Sequence, residues 1–223
     1  MNSLLAPGFR DRGDAGRFLA RHLAAYRTTD TLVLGIPRGG VPVAAAVARA
    51  LGADLDVLVA RKLGAPDSPE LAIGAVTANG GRYLNEDMIR DLGVSQEYVE
   101  SVTAEETEEA RRREERFRGD SPKAEFKGRV VILVDDGLAT GATMRAAVRS
   151  VRRQGPAQVV VAVPVGSIEA CGALRKEADE VVCPRTPVDF MAVGIYYADF
   201  TQTPDSEVRR LLHDHQASRA KGA

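Results

Sequence analysis

The chain has 223 residues, enough for one or two folded domains with a substantial hydrophobic core. Its 30 Lys and Arg residues nearly balance its 31 Asp and Glu residues, so the formal net charge is -1 at pH 7. The balance argues against a nucleic acid or an anionic membrane as a partner, and any anionic ligand would have to be held by local groups.

Cysteine usage and hydropathy exclude further classes. Cys171 and Cys183 have neither C-x-x-C spacing nor a histidine at a zinc-binding offset, which predicts reduced thiols. No apolar run approaches the roughly 18 residues of a membrane helix. The first 16 residues also lack the architecture of a signal peptide. We therefore expect a cytoplasmic protein without membrane segments.

Short runs rich in Val, Leu and Ile alternate with Ala- and Arg-rich segments of helical period, a pattern typical of βαβ units. The predicted strands are 32–36, 55–60, 130–134, 159–163 and 181–183, and the predicted helices are 41–51, 142–153 and 168–177. These segments predict an α/β fold with a Rossmann-like parallel sheet flanked by helices. Because no repeat or linker divides the chain, we expect a single domain over residues 1–223.

The first loop with chemical character is PRGGVP, residues 37–42, which directly follows the strand 32–36. Arg38 would place a guanidinium beside Gly39 and Gly40, where a backbone without Cβ atoms can present N–H groups to an anion. The same residues would also suit an ordinary turn between a strand and a helix. The loop is thus a candidate anion site that needs a second element.

Residues 71–84 break the alternation of strands and helices. They are predicted to form two antiparallel strands joined by a tight turn at Asn79-Gly80, which would make a flap.

Residues 95–118 are predicted to form a long, charged helix. Glu108 and Arg112, and likewise Glu109 and Arg113, lie four positions apart in the favourable order. The pattern favours a solvated helix, with a mobile arm or a subunit contact as the alternative.

Residues 205–217 are predicted to form a C-terminal helix. Its histidines, His213 and His215, would point to different faces, which argues against a metal pair.

The second loop with chemical character is DDGLATGAT, at the end of the strand 130–134. Thr140, Gly141 and Thr143 at a helix N-terminus would favour a phosphate. Asp135 and Asp136 would repel that phosphate, unless they accept hydrogen bonds from sugar hydroxyls on the same molecule, with a divalent cation offsetting the charge. The alternative is a turn in which these residues only cap the next helix.

The string VVILVDDGLATGAT closely resembles the phosphoribosyl-pyrophosphate (PRPP) binding motif of type I phosphoribosyltransferases. The resemblance implies that Asp135 and Asp136 contact the ribose hydroxyls. It places the 5'-phosphate in a cradle formed by Ala139, Thr140, Gly141, Ala142 and Thr143. It also implies the fold of that family, with a core over about 28–183 and a small hood formed by the N-terminal segment and residues 184–215.

Ala139 departs from part of that family. Members that use hypoxanthine or guanine carry an acid at this position, facing the purine, whereas adenine and orotate members tolerate alanine. A 6-oxopurine acceptor is therefore disfavoured.

The resemblance also assigns the pyrophosphate site. Arg38, Gly39 and Gly40 match the family's pyrophosphate loop, for which we expect a non-proline cis peptide at Arg38-Gly39 or next to it. Residues 61–70 match the flexible loop that closes over the site, so that Arg61 and Lys62 would bind pyrophosphate. In the same loop Glu70 would orient the loop or a cation, or would simply be solvated.

Residues 184–200 concentrate aromatic side chains in a chain that is only 5% aromatic. The string resembles a late segment of predicted bacterial phosphoribosyltransferases. By that match Tyr196 or Tyr197 would line the base pocket, and Asp199 would approach Mg2+ or pyrophosphate. Asp135 and Asp136 are the other candidate Mg2+ ligands. The alternative is that the aromatic residues only pack against each other.

The resulting prediction is a Mg2+-dependent phosphoribosyltransferase that transfers ribose-5-phosphate from PRPP to a nitrogenous base and releases pyrophosphate. Asp135, Asp136 and Arg38 are its predicted catalytic residues. A PRPP-binding regulatory protein without turnover is the alternative, and a sugar-phosphate hydrolase lacks an obvious nucleophile. The acceptor base stays open, and so does the oligomeric state, although a homodimer is common in the resembled family.

Overall fold

The structure is a computed structural model, and it describes residues 8–119 and 121–220. Its strands are β1 Thr31–Gly35, β2 Asp54–Val57, β3 Ala60–Ala65, β4 Ser68–Thr77, β5 Arg82–Leu84, β6 Val130–Val134, β7 Gln158–Ala162 and β8 Glu180–Val182. Its α-helices are α1 Arg12–His22, α2 Gly40–Leu51, α3 Glu86–Asp91, α4 Gln96–Arg118, α5 Ala142–Arg152, α6 Ile168–Leu174 and α7 Asp205–Ala220. Short 3-10 helices cover Ala24–Thr28 and Val193–Tyr196.

Five parallel strands form the main sheet in the order β2-β1-β6-β7-β8. Strand β1 pairs with β6 in a register that places Val33 opposite Ile132. These strands are apolar on both faces because both faces are covered: α1, α2 and α7 contribute to one core, and α5 and α6 contribute to the other. The prediction of a parallel α/β sheet flanked by helices is confirmed, with boundaries shifted by at most three residues.

A second, antiparallel sheet forms the flap, in the order β3-β4-β5. The predicted hairpin is β4-β5, and Gly80 takes a φ of 72° in its turn. Strand β3 was not predicted, since residues 61–70 were expected to be a loop. Leu63 and Ala65 lie on one face of β3, on either side of Gly64, and are buried with Ile73 of β4, which is why this segment pairs as a strand.

The predicted long helix is α4, and its N-terminus is capped by Ser95, whose side chain accepts a hydrogen bond from the Tyr98 N–H. The predicted pair Glu109–Arg113 forms at 3.0 Å. Glu108, however, bonds Arg111 three residues away and not Arg112.

Helix α4 is not uniformly solvated. Val99, Ala110, Glu114 and Phe117 are buried and attach one face of the helix to the rest of the molecule.

The described part of the N-terminal segment lies against the late segment that was predicted to form the hood. Phe9 donates its N–H to the carbonyl of Tyr196 at 2.9 Å and accepts the N–H of Ala198 at 2.8 Å. Residues 1–7, which the hood prediction includes, lie outside the described part of the chain, as do 120 and 221–223. The predicted C-terminal helix begins at Asp205 as expected and continues three residues further than predicted.

Two predictions of absence concern the described residues only. Within 8–119 and 121–220, no helix combines the length and the apolar character needed to span a bilayer. Cys171 and Cys183 are both free thiols.

Candidate functional site

The two predicted loops meet at the carboxyl edge of the main sheet. Their strands are neighbours, and the Ile36 N–H donates to the Val134 carbonyl at 2.9 Å. A Cβ on Gly40 would lie 2.7 Å from the Val134 carbonyl oxygen, and one on Gly39 would overlap the Asp136 carboxylate. Both glycines are therefore required by the close approach of the two loops. As predicted, the first loop contains a non-proline cis peptide, located at Pro37–Arg38.

Asp135 and Asp136 follow β6 and are only partly accessible. Asp135 Oδ1 accepts the backbone N–H of Asp136 at 2.8 Å. Burial, with the charge of Asp136 as the second cause, raises the pKa of Asp135 well above its usual value. Burial also raises the pKa of Asp136, although a neighbouring guanidinium opposes the shift. The pair is thus disposed to hold a proton more readily than exposed aspartates do.

Arg12 supplies that guanidinium, and sequence reasoning missed it. Its Nε donates to Asp136 Oδ2 at 2.8 Å, and its Nη1 donates to the Thr201 carbonyl at 2.7 Å. The guanidinium also lies 4.1 Å from the ring centroid of Phe200. Arg12 begins α1, 124 residues before its partner, and lies in no motif that would have signalled the contact. It links the N-terminal helix, the acidic pair and the late segment.

The predicted phosphate cradle forms the turn between β6 and α5. Gly141 has a φ of 79° and lies at the N-cap of α5, where no side chain bonds the first-turn N–H groups. Ser167 Oγ donates to the Ala139 carbonyl at 2.8 Å and fixes the turn from the neighbouring loop. Thr140 is exposed and Thr143 is half-buried. The turn can therefore offer backbone N–H groups and hydroxyls to an anion.

Three of the five predicted pyrophosphate residues line one cavity of about 530 Å3, whereas Gly39 and Gly40 lie against the acidic pair. Arg38, Arg61 and Lys62 line it together with Thr143 of the cradle, so four cation or hydroxyl side chains from a loop, a strand and the first turn of a helix share one space. The opposite wall comes from α4, which sequence reasoning did not place at the site. Glu70 lies on β4 with an exposed side chain.

The two candidate base-pocket tyrosines lie in different surroundings. Tyr197 is buried, and its hydroxyl donates to the Asp136 carbonyl at 2.6 Å. Burial raises the pKa of Tyr197 far above its usual value. Tyr196 is half-buried and stacks on Phe190, with ring centroids 5.8 Å apart. Tyr197 thus packs beneath the acidic pair, whereas Tyr196 presents an aromatic surface toward solvent.

Asp199 lines a separate cleft, which Arg12 and Thr201 also line. It is exposed, and its Oδ1 accepts the Thr201 N–H at 2.9 Å, which lowers the pKa of this carboxyl. Across the described residues, no group of three His, Cys, Asp or Glu side chains is arranged to hold a metal ion. Asp135 and Asp136 fit a Mg2+ ion whose other ligands are water and substrate phosphates, the usual coordination of this ion.

The two histidines of the C-terminal helix lie on different faces of the helix, as their spacing predicted. His213 is exposed, whereas His215 is buried and its Nε2 bonds the Ala53 carbonyl at 2.9 Å.

Comparison with known proteins gives consistent results. The family described as "Phosphoribosyl transferase domain" matches residues 12–199. Two Mycobacterium tuberculosis proteins, from strains CDC 1551 and H37Rv, each carry the name "Putative phosphoribosyl transferase". Each is 49% identical to this chain over 204 residues, which cover 92% of this chain and 46% of the relative. The chain thus spans about half the length of these relatives.

Among solved structures, the protein TT1426 from Thermus thermophilus is 49% identical and superimposes with a TM-score of 0.79. The alignment covers 92% of this chain and 98% of that chain. Since the family match spans most of the chain and contains both loops of the site, this protein belongs to the phosphoribosyl transferase domain family.

Proposed function

We propose that this protein transfers ribose-5-phosphate from PRPP to a nitrogenous base and releases pyrophosphate. The observation that carries the proposal is the meeting of the two loops at one sheet edge, where Gly39 and Gly40 lie against Asp135 and Asp136. A single ligand with a sugar and two separate phosphate groups matches that arrangement.

Three groups of residues would bind the three parts of the proposed ligand. The 5'-phosphate lies in the cradle at the start of α5, held by Thr140, Thr143 and backbone N–H groups. The ribose hydroxyls donate to Asp135 and Asp136. The pyrophosphate lies in the cavity lined by Arg38, Arg61 and Lys62. Catalysis would then consist of positioning the sugar and stabilising the departing negative charge.

Mg2+ would supply positive charge that offsets the pyrophosphate during its departure. Asp135 and Asp136 are the residues that would hold it, with water and phosphate oxygens as the other ligands. Asp199, which bonds its own loop and faces the separate cleft, would at most reach the ion through water.

The acceptor would approach from the side of the late segment. Tyr196, with Phe190 stacked on it, offers an aromatic surface for a planar base. Ala139 is exposed and carries no acid that could face a 6-oxopurine, so we propose an acceptor of another kind.

The test is pyrophosphate release by the purified protein with PRPP, Mg2+ and a panel of purines, pyrimidines and related nitrogen heterocycles. We expect release with at least one acceptor. Asp136→Asn should lower turnover at least tenfold, because the amide is uncharged and replaces one acceptor oxygen by an NH2 donor, so it binds the ribose hydroxyls more weakly than a carboxylate does.

Two other outcomes would contradict the proposal in different ways. PRPP binding without pyrophosphate release under every acceptor would favour a regulatory protein that uses the same site. Absence of PRPP binding in a thermal-shift assay with Mg2+ would reject the site itself.

A further inference from the structure

Helix α4 forms one wall of the cavity in which we place the pyrophosphate. Tyr98, Val102 and Phe117 provide its apolar part, and Glu106 and Arg113 provide its charged part. A helix that only displayed charge to solvent would not line this cavity. The helix therefore has a place at the site that its sequence did not indicate.

Glu106 differs from the other paired carboxylates on the exposed face of α4. Glu108 and Glu109 bond arginines three or four residues away on the same helix. Glu106 instead bonds Arg61 of β3, 45 residues earlier, with 2.5 Å between its Oε2 and Arg61 Nε. Both side chains are mostly buried, since Arg61 is 28% exposed and Glu106 is 20% exposed.

The geometry of this contact leaves Arg61 able to bind a second partner. A guanidinium has five N–H donors in a planar fork, and Glu106 takes the one on Nε. Among the described residues, neither Nη group of Arg61 donates a hydrogen bond, so both can donate to an anion in the cavity. The hydrogen bond from Arg61 to Glu106 also raises the pKa of Arg61.

We propose that Glu106 is a positioning residue that holds the Arg61 guanidinium in the orientation in which it binds pyrophosphate. The inference rests on the proposed function, since it takes Arg61 as a pyrophosphate ligand. A long arginine side chain that is already fixed loses less conformational entropy when it binds an anion. Glu106 would thus increase affinity although its own charge repels the ligand.

The charge of Glu106 would weaken the binding of pyrophosphate, whereas its positioning of Arg61 would strengthen it, so an experiment can distinguish the two effects. If Glu106 acted only through its charge, its removal would strengthen the binding of an anion. If it acts by positioning Arg61, its removal weakens binding, and a neutral side chain that still accepts the Nε hydrogen bond preserves most of the affinity.

The experiment measures the affinity of the full chain for pyrophosphate in the presence of Mg2+ by calorimetry. We expect Glu106→Ala to weaken binding by about fivefold to tenfold, the cost of ordering one long side chain. Glu106→Gln should remain within about threefold of the wild type. Glu105→Ala is the matched control, because Glu105 is the adjacent carboxylate on the exposed face of the helix.

A double-mutant cycle shows whether Glu106 acts through Arg61. In the Arg61→Ala background, Glu106→Ala should cause no further loss of pyrophosphate affinity. Thermal unfolding of every variant shows whether a loss of affinity reflects a general loss of structure. A loss caused by destabilisation alone would also occur in the Arg61→Ala background.

Three results would overturn the inference. The first is unchanged or tighter binding by Glu106→Ala, the second is an equal loss in the Arg61→Ala background, and the third is an equal loss in Glu105→Ala. In each case PRPP turnover by the wild type would leave the proposed function intact. A wild type that binds neither PRPP nor pyrophosphate would instead reject the proposed function and this inference with it.

Discussion

Asp136 is the residue at which three separate parts of the chain meet. Its carboxylate accepts a hydrogen bond from Arg12, its carbonyl accepts one from Tyr197, and Gly39 lies directly against it. Asp135 beside it shares the same buried environment, and mutual repulsion would favour protonation of the pair. The ionised state that a ribose contact needs therefore depends on Arg12.

Replacement of Arg12 should shift the pH dependence of PRPP binding. The guanidinium lowers the pKa of Asp136 against the opposing effect of burial, so Arg12→Leu should move the acid limb of the binding profile to higher pH. The measurement is PRPP affinity between about pH 4 and 8, which spans the titration of a carboxyl with a raised pKa. Arg17→Leu removes a more exposed arginine of the same helix and should leave the limb in place; equal shifts in both variants would contradict the assignment.

A methyl group at Gly39 should disturb the site through space alone. Its φ of -62° suits any residue, yet a Cβ would overlap the Asp136 carboxylate and lie 2.9 Å from Arg12 Nε. We expect Gly39→Ala to lower the free energy of unfolding by about 1–3 kcal/mol and to weaken PRPP binding. Urea unfolding and thermal shift measure the two effects.

The control for that substitution is Gly172→Ala in α6. A Cβ on Gly172 meets nothing within 4 Å. An alanine there should raise the free energy of unfolding by about 0.4–1 kcal/mol, because it restricts the unfolded chain. Similar losses in the two variants would show that the Gly39 effect does not come from contact with Asp136.

Helix α4 is fixed to the main sheet by a group of buried charges. Arg118 bonds Asp56 of β2 at 3.2 Å and Glu114 of its own helix at 3.1 Å. The three side chains are between 5% and 9% exposed. Asp56 also accepts the N–H of Ala124, and Glu114 accepts the N–H of Val59, so the carboxylates fix backbone on two sides of α4.

Loss of the shared cation should be strongly destabilising. Arg118→Met keeps much of the apolar volume but removes the cation shared by two buried carboxylates. Asp56 then loses its bond to Arg118, and Glu114 keeps only Lys123 at 3.6 Å, at a cost of about 3–5 kcal/mol in the free energy of unfolding. Denaturant titration measures it. Arg111→Met removes an exposed cation of the same helix and should change stability little. A small change in the free energy of unfolding in Arg118→Met would mean that water hydrates the two carboxylates in that variant.

The elements differ in how far the sequence could predict them. Strands β1, β6 and β7 are continuous apolar runs, so their burial on both faces can be inferred from the sequence, and the loops after β1 and β6 carry the predicted site. Strand β3 was missed because Arg61, Lys62 and Gly64 conceal its alternation, and only its pairing with β4 makes it a strand.

Single long-range contacts leave even less trace in a sequence. The contacts of Arg12 with Asp136 and of Glu106 with Arg61 join residues 124 and 45 positions apart. Neither follows a helical or strand period, since tertiary packing alone brings the partners together. The motif could therefore predict which loops form the candidate site, but not which charges of the surrounding fold support it.

At the scale of the whole molecule, the C-terminal helix packs against the edge of the main sheet. Helix α7 packs on α2 and β2, and His215 bonds the Ala53 carbonyl where the chain enters β2. Arg219 also bonds Asp54 at 3.0 Å. The last helix is thus attached to the sheet by one buried imidazole and by charged groups that remain partly exposed.

That imidazole should make the stability of the molecule depend on pH. Burial lowers the pKa of His215 below its usual value of 6.5. The hydrogen bond to Ala53 and the charge of Asp54 oppose this shift, and Arg219 and Arg49 add to it. At acidic pH the unfolded chain binds a proton on this histidine more readily than the folded chain does. The stability that neutral His215 contributes is therefore complete above about pH 6.5 and is lost as the pH falls through the lower folded pKa. His215→Gln, which can still donate to Ala53 but does not titrate, should flatten this decline in urea unfolding between about pH 7 and 5. The control is His213→Gln, which changes an exposed ring on the same helix and should keep the wild-type dependence of stability on pH. If His215→Gln also kept the wild-type dependence, the loss of stability at low pH would arise elsewhere in the molecule.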